Sequence, residues 1–164
     1  MMPRKRQALT QALRDEIISL RRVQREAVAN ETEFGDREPE ERRDLRGIAS
    51  ALTDIYKGAE NAFEHIAKHT GEGLPSGADW HKQLLDQMQR EAKGKRPAVI
   101  GNETCLALEA FRKFRHKERH LYGFDLQWDQ VRPLAKAAES TVDLLVADLE
   151  TFCQWLDALG ADAA

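Results

Sequence analysis

The sequence predicts an all-α protein built as an antiparallel bundle of about five helices. Hydrophobic residues recur at intervals of three and four over long stretches, and no convincing alternating pattern of strands occurs. Charged residues make up 32% of the chain and aromatic residues 7%, a balance that favours helices with solvated outer faces. A length of 164 residues suits one domain with its own core. We therefore expect one domain over 1–164, with an N-terminal extension helix at 1–35 and a bundle core at 36–159.

The first two helices are predicted from two long apolar stripes. The first helix should run from about residue 6 to 32, and the segment 34–39 interrupts it. Pro39 and the two glutamates after it make a favourable first turn for the second helix. Together the two helices are long enough for a hairpin that extends beyond the bundle and offers a dimerisation surface. The two stripes consist of Leu9, Leu13, Ile17, Leu20 and Ala27, and of Leu45, Ile48, Leu52, Ile55, Ala59, Phe63 and Ile66.

Three further helices follow a loop at 71–77 that contains three glycines and a proline. Asp79 can cap a short third helix, and the fourth should begin near Asn102 and end at Gly123. In the last helix Pro133 is tolerable only within the first turn. The apolar stripes of these helices are Trp80, Leu84, Leu85 and Met88; Leu106, Ala110, Phe111 and Phe114; and Leu134, Ala138, Val142, Leu145, Leu149, Phe152 and Leu156.

Charge is unevenly distributed along the chain, although the net charge is only −3. Residues 137–164 contain six acidic residues and no Lys or Arg, whereas residues 111–120 contain five basic residues, two histidines and one acid. A polyanion would be attracted to that basic patch. Cys105 and Cys153 have no motif spacing and are interpreted as free thiols of a reducing compartment. With no apolar run near eighteen residues, we expect a soluble cytoplasmic protein without a membrane partner.

The basic patch, together with Tyr122 just after it, contains the residue types that bind or cut a phosphodiester. Arginine offers a planar charged fork for phosphate oxygens, histidine transfers protons near neutrality, and tyrosine adds a hydroxyl. Five residues separate Arg115 from His120, which sets them about 140° apart on an ideal helix. Both can therefore reach one phosphate only if the helix loosens near Gly123 or a second subunit completes the site. The structural alternative is a solvated basic helix end with Phe114 and Leu121 in the core.

A metal site is the alternative interpretation of the histidines, and the spacing of histidine and glutamate residues disfavours it. His116 and His120 are four residues apart, as are His65 and His69. A zincin helix has Glu directly after its first His, whereas this chain has Lys117 there, and the inward ExxH motifs of di-iron bundles are missing. We therefore predict neither a metal nor another cofactor.

Other polar residues near the second stripe are assigned structural roles. Glu60 and Asn61 lie beside the stripe, where polar groups can line a cleft, but solvated positions are the simpler interpretation. Tyr56 is assigned to the core by default, and His81 stands alone near a helix start.

Arg115, His120 and Tyr122 fit the form R-x4-H-x-Y, and in this the chain resembles HEPN-domain proteins of the HepT-like ribonuclease toxin group. Those proteins are helical bundles with Arg followed four to six residues later by His, and the HepT branch has Tyr two residues after the His. One position departs from the pattern, because many members have Asn or Asp where this chain has His116. The similarity extends over residues 56–63, 74–81, 96–100 and 114–134.

The resemblance implies a homodimer with the two motifs at a shared cleft and metal-independent endonucleolytic cleavage of RNA. It makes Arg115 and His120 catalytic: the histidine handles a proton of the reaction, and the arginine holds the scissile phosphate. It also implies an MNT-type nucleotidyltransferase as antitoxin, which transfers AMP to Tyr122. Auxiliary contacts to phosphate or RNA would come from His116, Lys117 and Arg119.

Two alternatives remain open beside the toxin. The first is a non-catalytic HEPN module that binds RNA or nucleotide, or scaffolds a nucleotidyltransferase, and His116 in place of Asn or Asp favours it. The second is a helical interaction protein whose basic helix end has no chemistry.

Overall fold

The protein forms five α-helices in a computed structural model that describes residues 2–120, 122 and 125–161. This confirms the predicted all-α fold, and the described residues contain no strand beyond an isolated bridge between Ala92 and Arg96. The predicted terminator Gly123 and the predicted core residue Leu121 lie outside the described residues. The helices are α1 (Pro3–Phe34), α2 (Arg42–Thr70), α3 (Trp80–Gln89), α4 (Asn102–Glu118) and α5 (Trp128–Ala161).

Helix α2 is the centre of the bundle, because it packs against each of the other four helices. Helix α1 packs on α2 and α5, while α4 packs on α2, α3 and α5. The predicted α2 stripe is buried throughout, and it joins the stripes of α1 and α5 in one hydrophobic core. Burial of that apolar face is the main stabilising contribution to helices of this length.

Gly58 of α2 allows α1 to pack closely against α2, because glycine has no side chain. A Cβ at Gly58 would lie 2.7 Å from Cδ2 of Leu20, closer than real carbon atoms pack. Gly71 ends α2 in the left-handed conformation at φ 72°, and its N–H donates to the carbonyl of Ala67.

Helix α5 corrects the expectation for Pro133. The helix begins at Trp128, so Pro133 lies beyond its first turn, inside the helix. Proline has no N–H to donate to the carbonyl of Asp129, four residues earlier. Asp129 and Pro133 are both exposed, and water can therefore satisfy that carbonyl.

A fully buried arginine ties the loop after α2 to the end of α3. Arg96 donates from Nε and Nη2 to the carboxylate of Glu72 at 2.6 and 2.8 Å, and its side chain is 0% exposed. Its remaining N–H groups donate to the carbonyls of Arg90, Pro97 and Gln87. This network fixes the end of α3 relative to the end of α2. Among the described residues, no helix is both long and apolar enough to cross a membrane.

Candidate functional site

A narrow pocket lies where α2, α3 and α4 meet. Three of its residues come from α4, at the three- and four-residue spacing that places side chains on one helix face, and a fourth, Arg119, directly follows the last residue of α4. Helix α2 contributes one residue from its middle, and α3 contributes one from its first turn. The pocket is lined by Tyr56, His81, Arg112, Arg115, His116 and Arg119.

A buried carboxylate behind the pocket joins the three helices. Glu60 on α2 is 5% exposed, and its Oε1 accepts a hydrogen bond from Nη1 of Arg115 at 3.0 Å. Its Oε2 is hydrogen-bonded to Nδ1 of His81. The interpretation of Glu60 as a solvated residue was therefore wrong. A buried carboxylate needs compensating partners, and α3 and α4 each supply one.

Two aromatic rings hold the partners of Glu60 in place. The Tyr56 hydroxyl donates to the backbone carbonyl of His81 at 3.4 Å, and the guanidinium carbon of Arg115 lies 6.0 Å from the centroid of the Tyr56 ring. The Trp80 ring stacks on the His81 ring with centroids 3.8 Å apart. Burial raises the pKa of Tyr56, so its hydroxyl stays protonated and remains a donor.

The pocket has a positive character because only part of its basic charge is neutralised. Arg112 forms two hydrogen bonds to Glu109, at 2.7 and 2.8 Å, which hold the pKa of Glu109 below and the pKa of Arg112 above their usual values. Arg115 is paired with Glu60. Arg119 forms no ion pair with any residue that the structure describes. An anion entering the pocket would therefore meet at least one uncompensated guanidinium.

The structure brings together most of the predicted catalytic segment. Arg115 and His116 line the pocket, and the His116 ring lies 5.3 Å from the His120 ring in an edge-on arrangement. Helix α4 ends at Glu118, and the His120 N–H donates to the carbonyl of Lys117, three residues earlier. The angle of about 140° that an ideal helix would set between Arg115 and His120 therefore does not apply, because His120 lies beyond the end of α4.

The other predicted residues are divided between the pocket and its surroundings. Arg119 lines the pocket, whereas the Lys117 ammonium donates to Gln130 of α5 at 2.8 Å and does not line the pocket. His120 is exposed, and Tyr122 is 72% exposed. The segment thus places two arginines and one histidine in the pocket, a second histidine beside the first, and an exposed tyrosine two residues further on.

A sequence model of the HepT-like family, described as HepT-like protein, matches residues 47–156, about two thirds of the chain. The protein belongs to the HepT-like family. No curated protein and no solved structure matches the chain. The matched region contains every pocket residue, most of α2 and α5, and all of α3 and α4. Helix α1 lies outside it.

The sequence pattern did not identify Glu60, His81 and Tyr56 as parts of this candidate site. One signal was present, because Tyr56 and Glu60 are four residues apart and flank the apolar stripe of α2, so both face the neighbouring helices. His81 carried no such signal, since its contact with Glu60 depends on the packing of α3 against α2.

Proposed function

We propose that this HepT-like protein is a metal-independent endoribonuclease toxin that acts on RNA in the cytoplasm. Arg115 and His120 are its catalytic residues. The observation that carries the proposal is the setting of Arg115: a buried carboxylate orients it at a positively charged pocket beside two histidines. An HEPN-type domain is a nuclease scaffold in this family, which supports the same assignment.

Each predicted catalytic or auxiliary residue has a role in the proposed reaction. Glu60 uses one donor of Arg115, so the guanidinium keeps further N–H groups for the oxygens of a scissile phosphate. His120 transfers a proton to or from a reacting oxygen. Arg119 and His116 make auxiliary phosphate contacts within the pocket, and Lys117, which does not line the pocket, makes one outside it.

A second copy of the chain would complete the site. His120 lies beyond the end of α4 and is exposed, so it can reach toward a neighbouring subunit as well as toward its own pocket. A homodimer that brings two such segments to one cleft would place two sets of basic residues along the bound RNA. The proposed toxin is therefore a homodimer.

Purified protein should cut RNA in the presence of EDTA. His120→Ala and Arg115→Ala should each lower the cleavage rate at least ~100-fold, because each removes a group that stabilises or protonates the reacting oxygens. Lys113→Ala is the matched control on the same helix, since its exposed ammonium lies outside the pocket and it should cut at the unaltered rate.

A cleavage rate that survives both catalytic changes would contradict the ribonuclease. RNA binding without cleavage by the unaltered protein would instead favour the alternative, a HEPN module that binds RNA or scaffolds a nucleotidyltransferase. His116, which stands where many members of the family have Asn or Asp, favours that alternative.

We propose that an MNT-type nucleotidyltransferase neutralises the toxin by transferring AMP to Tyr122. The exposure of Tyr122, at 72%, supports the proposal, because a partner enzyme can approach this residue without unfolding the bundle. Each AMP adds bulk and a negative charge two residues from His120, which would obstruct RNA entry and repel its phosphates.

Co-expression with such a nucleotidyltransferase should therefore add AMP units to the protein, as measured by intact mass spectrometry. Tyr122→Phe should remove the modification and leave RNA cleavage active in the presence of the partner. Modification that persists in Tyr122→Phe would assign the acceptor to another residue.

A further inference from the structure

His81 is the one pocket histidine that the R-x4-H-x-Y motif does not contain. Its Nδ1 is bonded to Glu60, its ring is stacked on Trp80, and its backbone carbonyl accepts from Tyr56. Its side chain is 17% exposed and lines the pocket. Within the described residues, its other ring nitrogen, Nε2, forms no hydrogen bond. His81 is therefore held rigidly with one nitrogen available.

The carboxylate of Glu60 determines which nitrogen of His81 is available. An ionised carboxylate only accepts hydrogen bonds, and the carboxylate of Glu60 already accepts one from Arg115. A neutral imidazole bonded to it must carry its proton on Nδ1. The lone pair then lies on Nε2, which is the arrangement of a histidine prepared to act as a base.

RNA cleavage by the 2′-hydroxyl requires two proton transfers at two different oxygens. One group must remove the proton of the attacking hydroxyl, and another must protonate the leaving 5′-oxygen. The motif supplies one histidine, His120, whose ring lies beside that of His116. Arg115 and His81 line the same narrow pocket, so a phosphate that binds to Arg115 there comes close to His81.

We propose that His81 is a second catalytic residue, the general base of the reaction, and that His120 is the general acid; this rests on the proposed ribonuclease function. Nε2 of His81 takes the proton of the 2′-hydroxyl as the bond from O2′ to phosphorus forms. The bond from phosphorus to O5′ breaks, and His120 donates a proton to O5′. The products are a 2′,3′-cyclic phosphate and a 5′-hydroxyl.

A substrate with sulfur in place of the bridging 5′-oxygen separates the two roles. A thiol is far more acidic than an alcohol, since a cysteine thiol has a pKa of about 8.5. A thiolate can therefore leave without a proton from a general acid. The loss of the acid should matter little with this substrate, whereas the loss of the base should matter as before. The probe is an oligoribonucleotide that the unaltered protein cuts, made with either oxygen or sulfur at the cut position.

His81→Asn is the main variant, because its amide keeps a donor near the position of Nδ1 and lacks Nε2. It should slow cleavage of both substrates about 100-fold or more, while His120→Ala should be slow with oxygen and recover most of its rate with sulfur. A 2′-deoxy version of the oligonucleotide, which cannot be cut, should bind the unaltered protein and His81→Asn equally. His69→Asn, a histidine of α2 outside the pocket, is the control and should cut both substrates normally.

Thermal unfolding establishes that each variant is folded, and His81→Gln replaces His81→Asn if the latter is not. Normal cleavage by the folded His81 variant would overturn the inference and leave the ribonuclease in place. Sulfur rescue of the His81 variant, or a rate loss explained fully by weaker binding of the 2′-deoxy probe, would also overturn it. Absence of cleavage by the unaltered protein would overturn the proposed function and this inference together.

Discussion

Two buried Glu–Arg pairs join helices in this protein, and they differ in how completely the arginine is used. Arg96 bonds to Glu72 and to three backbone carbonyls, so that each of its N–H groups has an acceptor, and it is inaccessible to solvent. Arg115 forms one hydrogen bond to Glu60 and lines the narrow pocket. The same two residue types therefore make a structural clamp in one place and, under the proposed function, a phosphate-binding group in the other.

The difference shows what distinguishes a functional ion pair from a structural one. An arginine whose donors are all occupied has nothing left for a ligand, and its removal leaves several buried acceptors without partners. An arginine held at one nitrogen is oriented, and its remaining donors can bind a phosphate. The carboxylate of Glu60 is also shared with His81, whereas Glu72 bonds to groups that do no chemistry, such as Thr70 and Gln87.

Arg96→Ala should have the largest effect on stability. It removes the two hydrogen bonds to Glu72 and the three to backbone carbonyls at a fully buried side chain, and we expect a loss of about 3–5 kcal/mol in the free energy of unfolding. Arg115→Ala should cost less, about 1–3 kcal/mol, because Glu60 keeps its bond to His81. Urea denaturation of both variants measures the difference.

Arg90→Ala is the control for that comparison. Its exposed side chain makes none of the bonds of the clamp, which uses only its backbone carbonyl, so stability should change by less than about 0.5 kcal/mol. A loss for Arg115→Ala as large as that for Arg96→Ala would refute the distinction between the two pairs.

A smaller change in the free energy of unfolding is expected when the pH is lowered. Burial acts to raise the pKa of Glu72, but hydrogen bonds from Arg96, Thr70 and Gln87 outweigh it and hold the pKa below the usual 4.5. A lowered folded-state pKa stabilises the protein above the unfolded-state value, and this contribution is lost as the pH falls through the folded-state value. The difference in unfolding free energy between the unaltered protein and Glu72→Gln should therefore be largest above pH 4.5 and shrink below it. A difference that stays constant over this range would contradict the assignment.

The fold was largely predictable from sequence because it depends on local periodicity. The stripe from Leu45 to Ile66 identified α2, and glycine and proline marked the breaks between the helices. The interior position of Pro133 was not foreseen, since helical propensity alone penalises it and only the packed α5 shows that its neighbours are solvated.

The site was only partly predictable. The segment from Arg115 to Tyr122 is continuous in sequence and was found from residue types and spacing. Glu60 and His81 lie 21 residues apart on different helices, and their hydrogen bond depends on how α3 is fixed against α2. No local pattern contains that information, so a buried glutamate beside an apolar stripe was interpreted as solvated.

The most direct test of this account compares RNA cleavage by Arg115→Lys and Arg96→Lys at a temperature where both are folded. Lysine cannot present a planar fork while bonded to Glu60, so Arg115→Lys should cut RNA at least ~100-fold more slowly than the unaltered protein. Arg96→Lys should be less stable and yet cut at the unaltered rate per folded molecule. Equal rates for the two variants, or full activity in Arg115→Lys, would contradict the claim that Arg115, held by Glu60 with its other donors unused, forms part of the catalytic site.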